Sequence, residues 1–238
     1  MSFNIDKCKV MHFGRLNEAH SYYLDGLPLA EVSEEKDLGI IITKDLKVSQ
    51  QCASAYAKAS KMLGIINRTI NYKSTEVMLR LYKSIVRPHL EYCTAAWSPH
   101  YIKDKELIEK IQHRFTQMIP NIREQPYLER LRRLNLWTLE ERRIRANLIE
   151  VYKMINGLTN VKPEVFFEFD TDSCTRGHIY KLKKKRFMKD LRQHFFTERI
   201  VNFWNNLDEQ TVSTTSLIGF KQNLDRLRRT KKMGLRLD

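Results

Sequence analysis

Glycine and proline are scarce, at 8 and 6 among 238 residues. A turn-rich β sandwich or barrel draws heavily on both, so their poverty, beside 29% charged residues, points to helices. The glycines do not cluster, which excludes a P-loop and a dinucleotide fingerprint, since both bring backbone N–H groups onto phosphate through closely spaced glycines. No G-x-S-x-G elbow is present to strain a serine nucleophile into the open. No two aspartates are adjacent, so the carboxylate pair that would gather Mg²⁺ for phosphoryl transfer is missing. Tyr23-Leu24-Asp25-Gly26 approaches a Tyr-x-Asp-Asp pattern, but Gly26 stands where the second carboxylate would be, and Asp25-Gly26 reads better as a hairpin turn. The four cysteines, Cys8, Cys52, Cys93 and Cys174, are far apart and form no Cys-x-x-Cys, as expected of ordinary buried thiols in a reducing compartment. Cys174-x-x-x-His178 and His89-x-x-x-Cys93 each offer half a zinc site with no second ligand pair nearby. No stretch approaches a membrane span and the N-terminus has no apolar signal core. The expectation is an intracellular protein, nuclear or cytoplasmic, neither membrane-bound nor secreted.

What is abundant is positive charge. Lys and Arg number 42 against 28 Asp and Glu, a formal +14 and a pI near 9.6. Such an excess makes a polyanion the expected partner, nucleic acid before a membrane surface, with a plain basic protein as the alternative. Hydrophobic residues at 42% and aromatics at 10% supply a real core.

To about Lys47 the chain reads as short strands. FNIDKCKVMHFG alternates loosely, Asp25-Gly26 separates two extended runs, and Leu38 to Thr43 (LGIIIT) is a β-branched run typical of a buried strand. A small antiparallel unit is expected there. From Ser49 the period becomes helical, with Val48, Cys52, Ala55, Tyr56, Ala59, Met62, Leu63 and Ile66 on one stripe and Lys58, Lys61 and Arg68 outside it. Ser74 is a candidate N-cap for a helix that turns Val77, Met78, Leu81, Tyr82 and Ile85 inward and ends or kinks at Pro88. Leu107, Ile108, Ile111, Phe115 and Met118 form the next stripe, stopped at Pro120. Thr138-Leu-Glu-Glu141 is a capping box whose helix runs to Gly157. Residues 158–176 read as a loop. A buried helix is expected through Phe195, Phe196, Ile200, Val201 and Trp204, and a last one is capped by Ser216, with Leu217, Phe220, Leu224 and Leu227 inward. The organisation expected is mainly α: a β unit at 1–47, helices at 48–157 and a basic helical extension at 158–238.

RGHIYKLKKKRFMKDLRQ, from Arg176 to Gln193, holds eight Lys and Arg against one Asp. Arg176, Lys181, Lys183, Lys184, Lys185 and Arg186 are candidates for phosphate contact, with a solvated basic loop as the alternative. The interleaved His178, Tyr180 and Phe187 are expected in the core rather than on bases. Arg142, Arg143 and Arg145 are ambiguous as phosphate contacts, since Glu140 and Glu141 can pair with them as a surface network.

LYKSIVRPHLEYCTAAWSP (Leu81 to Pro99), followed by KIQHRFTQMIP and YLERLRRLNLWTLEERR, strongly resembles the C-terminal half of reverse transcriptases from LINE-class, non-LTR retrotransposons, the chicken-repeat and jockey-like groups. FNIDKCKVMHFG resembles the region called motif D, EEKDLGIIIT motif E, and RGHIYKL, FFTERIVNFWNNL and FKQNLD the later blocks. The likeness spans nearly the whole chain, and the ordered series is far more specific than any one block. It implies the end of a polymerase palm, then a helical thumb that holds template–primer duplex, then a helical C-terminal extension. Lys7 matches the motif D lysine, thought to assist protonation of departing pyrophosphate. Lys36, Asp37, Leu38, Gly39 and Ile40 match the primer-grip turn. Arg87 stays open as a phosphate contact within a stretch that is otherwise packing.

On this resemblance the fingers and the catalytic carboxylates would precede Met1, so Mg²⁺ is expected only in a complete polymerase and this chain alone is expected not to polymerise. Its expected partners are RNA/DNA duplex, bound through phosphates, and the missing palm and fingers. An inactive retroelement relic and a helical protein-interaction module are the alternatives.

Overall fold

Strand formation at the N-terminus is meagre and local. The computed structural model describes residues 3–14, 16–170 and 177–230. Ile5–Lys7 is a 3₁₀ turn, so most of FNIDKCKVMHFG is not strand, and only β1 (Lys9–Val10) pairs. It pairs in parallel with β4 (Ala30–Glu31), the one departure from the antiparallel pairing expected, which the two hairpins keep. That hairpin joins β2 (Tyr23–Leu24) to β3 (Leu27–Pro28) through Asp25 at φ 50° and Gly26 at φ 78°, the two left-handed residues that a type I′ turn requires. A second hairpin joins β5 (Glu34–Asp37) to β6 (Ile40–Thr43). Leu38 (φ 44°) and Gly39 (φ 86°) are its turn, so Leu38 is not strand, and it is 82% exposed rather than buried.

α1 (Ser49–Thr69) buries Cys52, Ala55, Ala59, Leu63 and Ile66, the stripe read from its spacing. It lies against α4 (Ile102–Gln117) with the two helices pointing the same way. Ser49 donates to Asp104 at 2.6 Å, and further along Arg114 donates to Ser60 at 2.9 Å. α2 (Thr75–Leu81) is capped by Ser74, whose hydroxyl accepts from Val77 N–H. Pro88 does not end this helix. A π turn over Tyr82–Val86 closes Arg87 N–H onto the Tyr82 carbonyl, and α3 (Arg87–Glu91) carries Pro88 in its first turn, where a missing N–H costs least. The buried set becomes Met78, Tyr82, Val86 and Leu90, while Val77 and Ile85 are exposed. A spacing of four overshoots the α turn of about 3.6 residues, and the wider i→i+5 turn takes up the overshoot.

α5 (Tyr127–Arg133) leads into α6 (Leu139–Ile155), which has the full Thr138/Glu141 capping box and ends before Gly157 at φ 64°. The helix expected around Phe195–Trp204 is instead α7 (Asp190–Gln193), α8 (Phe196–Arg199) and α9 (Val201–Asn205). Phe195 is extended and about half exposed, and the Arg199 guanidinium donates to the His194 carbonyl at the break. α10 (Glu209–Val212) and α11 (Leu217–Arg229, capped by Ser216) complete the order.

Two apolar cores result. One gathers α1, the α2–α3 helix, α4 and Leu131, Leu134, Leu136 and Leu139. The other gathers the C-terminal half of α6 with Phe167, Leu182, Trp204, Phe220 and Leu227. α6 faces both, so apolar packing is continuous across the boundary expected at 157/158. Between the helices, buried Gln112 accepts from Tyr82 Oη at 2.8 Å and donates to the Trp137 carbonyl at 2.9 Å, satisfying a polar group that would otherwise be costly.

The β unit has little to hold it, with Phe3, Phe13, Tyr23 and Leu27 exposed and its first strands two residues long. Amide exchange should be fast through residues 3–31 and slow in α1 and α6. β5–β6 is expected to lie between, because Ile41 N–H donates to Gln51 on α1 at 3.0 Å and Tyr92 Oη to the Leu38 carbonyl at 3.0 Å. Equal protection of residues 3–31 and α1 in a monomeric sample would refute this ordering.

Candidate nucleic-acid interface

The residues singled out by sequence fall in three places. Lys7 ends the 3₁₀ turn and is exposed, not on a strand. Lys36 and Asp37 end β5, Leu38 and Gly39 turn, and Ile40 opens β6 and packs on the first core. The turn is docked rather than free, since a side chain added at Gly39 would meet the Tyr92 ring at 3.6 Å. An exposed leucine at positive φ is strained, and such strain persists only where surroundings hold it.

Lys58, Lys61 and Arg68 are exposed on the outer face of α1, and none has a carboxylate partner among the described residues. Arg114 of α4 also reaches α1, through its bond to Ser60, a contact that local periodicity does not reveal.

The basic C-terminal run is held by its backbone. Leu182 pairs with Phe169 across an antiparallel bridge, and Lys183 N–H donates to the Glu168 carbonyl at 2.8 Å. Lys181 is half-buried, and its carbonyl accepts from Asp170 N–H at 2.9 Å. The Asn205 amide clamps Leu182 from the other side, accepting from its N–H at 2.9 Å and donating to its carbonyl at 2.8 Å. Leu182 is therefore buried while Lys183, Lys184, Lys185 and Arg186 stand in solvent. Lys185 binds Glu168 at 2.7 Å, and that hydrogen bond holds the Glu168 carboxyl below the usual carboxylate range. Lys183, Lys184 and Arg186 have no ion pair among the described residues. Arg176 lies outside the described residues, as does Cys174. Of the interleaved aromatics only His178 is fully buried, donating its Nε2–H to the Trp204 carbonyl (3.0 Å); Phe187 is half-buried and Tyr180 is 38% exposed.

The arginines of α6 do not form the surface network with Glu140 and Glu141 that their spacing allows. Arg142 pairs with Glu91 through two nitrogens, Arg145 with Asp225 at 3.3 Å, and Arg143 is buried. Glu140 and Glu141 pair instead with Lys105 and Arg228. Arg143 lies 4.0 Å over the Trp97 ring and donates to the carbonyls of Trp97 (3.1 Å) and Leu90, while Arg199 donates to those of Thr94 (2.7 Å) and Ala95 (2.9 Å). Burial pushes both guanidinium groups down to about 10. Buried Arg143 and half-buried Arg199 thus satisfy carbonyls of the last turn of α3 and of the turn that follows it. This makes Leu81–Pro99 a packing element, and it leaves Cys93 exposed at φ 52° rather than buried.

No family model, curated protein or solved structure matches this chain.

Among the described residues one cluster, His100, Asp190 and His194, brings three potential metal ligands together. The two imidazoles stack 4.1 Å apart at 8°. Mg²⁺ requires oxygen ligands, and Asp190 alone supplies one, so these residues do not fit it. No helix among the described residues is long and apolar enough to cross a membrane. The geometry instead offers cations on rigid helices and a clamped strand, suited to phosphate oxygens.

Proposed function

We propose that the chain corresponds to the palm end, thumb and C-terminal extension of a LINE-class, non-LTR retrotransposon reverse transcriptase, and that it binds RNA/DNA duplex through phosphates without itself carrying the polymerase carboxylates. The observation that carries this reading is the ordered series of sequence blocks from FNIDKCKVMHFG to FKQNLD. The formal +14 charge and the unpaired cations of α1 and of Lys183, Lys184 and Arg186 support it. α1 supplies a long face for a duplex backbone, and the docked Leu38-Gly39 turn supplies a rigid tip near its N-terminal end.

Phosphate binding releases counterions, so affinity for an RNA–DNA hybrid should fall linearly on a log–log salt plot. Replacing Lys58, Lys61 and Arg68 with Ala should flatten that slope by about 0.9 for each phosphate no longer neutralised, whatever the hybrid sequence. An unchanged slope assigns the α1 face to solvent. Absence of any salt-dependent binding by the parent chain removes the duplex-binding reading altogether.

A further inference from the structure

A second set of cations, outside the faces described above, surrounds a cavity of about 390 Å³ where the α2–α3 helix, the α5–α6 turn, α6 and α11 meet. The helix Thr75–Glu91 contributes Lys83 and Arg87, α6 contributes Arg142 and Arg145, and the last turn of α11 contributes Arg228 and Arg229. Its volume falls within the roughly 300–1,000 Å³ typical of small-molecule sites.

The electrostatics of this cavity are unbalanced. Three carboxylates serve the six cations: Glu91 pairs with Arg142 and lies 3.6 Å from Arg87, Asp225 pairs with Arg145, and Glu141 lies 3.4 Å from Arg228. Lys83 and Arg229 have no carboxylate partner among the described residues. Three positive charges are left over. The C-terminal dipole of α11 supplies only about half a negative charge, too little to neutralise them.

The guanidinium groups are also held in place before any ligand arrives. Arg228 and Arg145 both stand against the Trp137 indole, at 4.8 and 5.5 Å from its centroid. Arg228 is further fixed by donating to the Leu136 carbonyl at 2.8 Å. Arg87 is half-buried; burial first, then the neighbouring Arg142 charge, holds its guanidinium below its ordinary range. Crowding of like charges at a semi-enclosed site is a cost that a bound anion relieves.

We propose that this cavity is a binding site for a phosphate-bearing polyanion, gripped between Lys83 and Arg87 on one side and Arg228 and Arg229 on the other. Fixed guanidinium forks match phosphate oxygens, and the cavity admits a group larger than a single small ion. The ligand chemistry is that of linked phosphates, whether a free polyphosphate or a nucleic-acid backbone. Charge and geometry carry it, independently of any kinship with retroelements.

Titration calorimetry with inorganic pyrophosphate tests it. One pyrophosphate is expected to bind per chain at moderate salt, more tightly than sulfate. The double variant Lys83→Gln/Arg229→Gln, which alters two exposed side chains and should keep the parent thermal midpoint, should weaken it roughly tenfold or more, the weight of one charge-assisted hydrogen bond. Lys183→Gln/Lys184→Gln, outside the cavity, should leave pyrophosphate affinity unchanged. Adding a short single-stranded oligonucleotide separates the sources: competition with pyrophosphate identifies a backbone ligand, and its absence identifies a free polyphosphate. No saturable pyrophosphate binding, or equal binding by the Lys83/Arg229 variant, overturns the proposal. Hybrid binding could still follow the α1 face in either case, so the two readings fail separately.

Discussion

Arg143→Ala is expected to lower unfolding free energy by about 4 kcal/mol, from the principles that follow. The side chain is 3% exposed and serves two buried carbonyls and one ring. Each buried polar group left unpaired costs about 1–3 kcal/mol, and the desolvated contact with Trp97 adds about 2 kcal/mol at most. Burial of the charge, visible in its guanidinium held near 10, offsets part of the total. Arg143→Lys should recover only a fraction, because an ammonium cannot span the Leu90 and Trp97 carbonyls with a planar fork. Urea denaturation followed by circular dichroism reads both. A change within about 1 kcal/mol for the Ala variant, close to that of an ordinary surface substitution, would mean that the end of α3 is satisfied some other way.

Trp204→Ala should cost about as much, for a different reason. Trp204 is fully buried in the second core, tilted against Phe220 with centroids 6.2 Å apart. Removing a buried aromatic costs about 3–5 kcal/mol through forfeited transfer energy and a residual cavity. Its indole N–H also donates to the Tyr180 carbonyl at 2.7 Å, and its own carbonyl bonds His178 at 3.0 Å. The effect should therefore spread to the segment that displays Lys183 to Arg186. Exchange at residues 178–183 should accelerate in the variant well before the α1 amides respond. Trp204→Phe keeps most of the packing but orphans the Tyr180 carbonyl, and should fall between. Unchanged protection at residues 178–183 in Trp204→Ala would show that the Asn205 clamp on Leu182 suffices by itself.

Much of the fold is legible in local pattern. The α1 stripe, the Ser74 and Ser216 caps, the Thr138/Glu141 box, the Asp25-Gly26 turn and Gly157 all follow from interactions within a few residues, which sequence spacing encodes directly. Local signals mislead where packing outweighs them. Pro88 reads as a helix stop or kink; the π turn before it lets the chain continue and moves the inward set to Met78, Tyr82, Val86 and Leu90. Leu38 reads as strand because it is apolar, yet Gly39 and the Tyr92 hydroxyl make it a turn. Of the candidate interface, the outward cations of α1 follow from its period, whereas the contact of Arg114 with α1 comes only from helix packing.

Charge shows the division most sharply. By itself the sequence determined that this protein is mainly helical, strongly basic and without a paired-aspartate centre, because composition and short-range periodicity carry that information. It could not say which cations are spent inside the fold. Arg142, Arg143 and Arg145 stand close to Glu140 and Glu141 in the chain, but helix geometry turns them toward Glu91, Trp97 and Asp225. Glu91 is 51 residues from Arg142, and Trp97 is 46 from Arg143. Only tertiary structure decided that buried Arg143 and half-buried Arg199 staple backbone carbonyls, that Lys183 to Arg186 remain in solvent, and that Lys83, Arg87, Arg228 and Arg229 enclose one cavity. The reason is physical: a charge is placed by what lies across from it in space, and those neighbours are chosen by the packing of apolar faces far away in sequence.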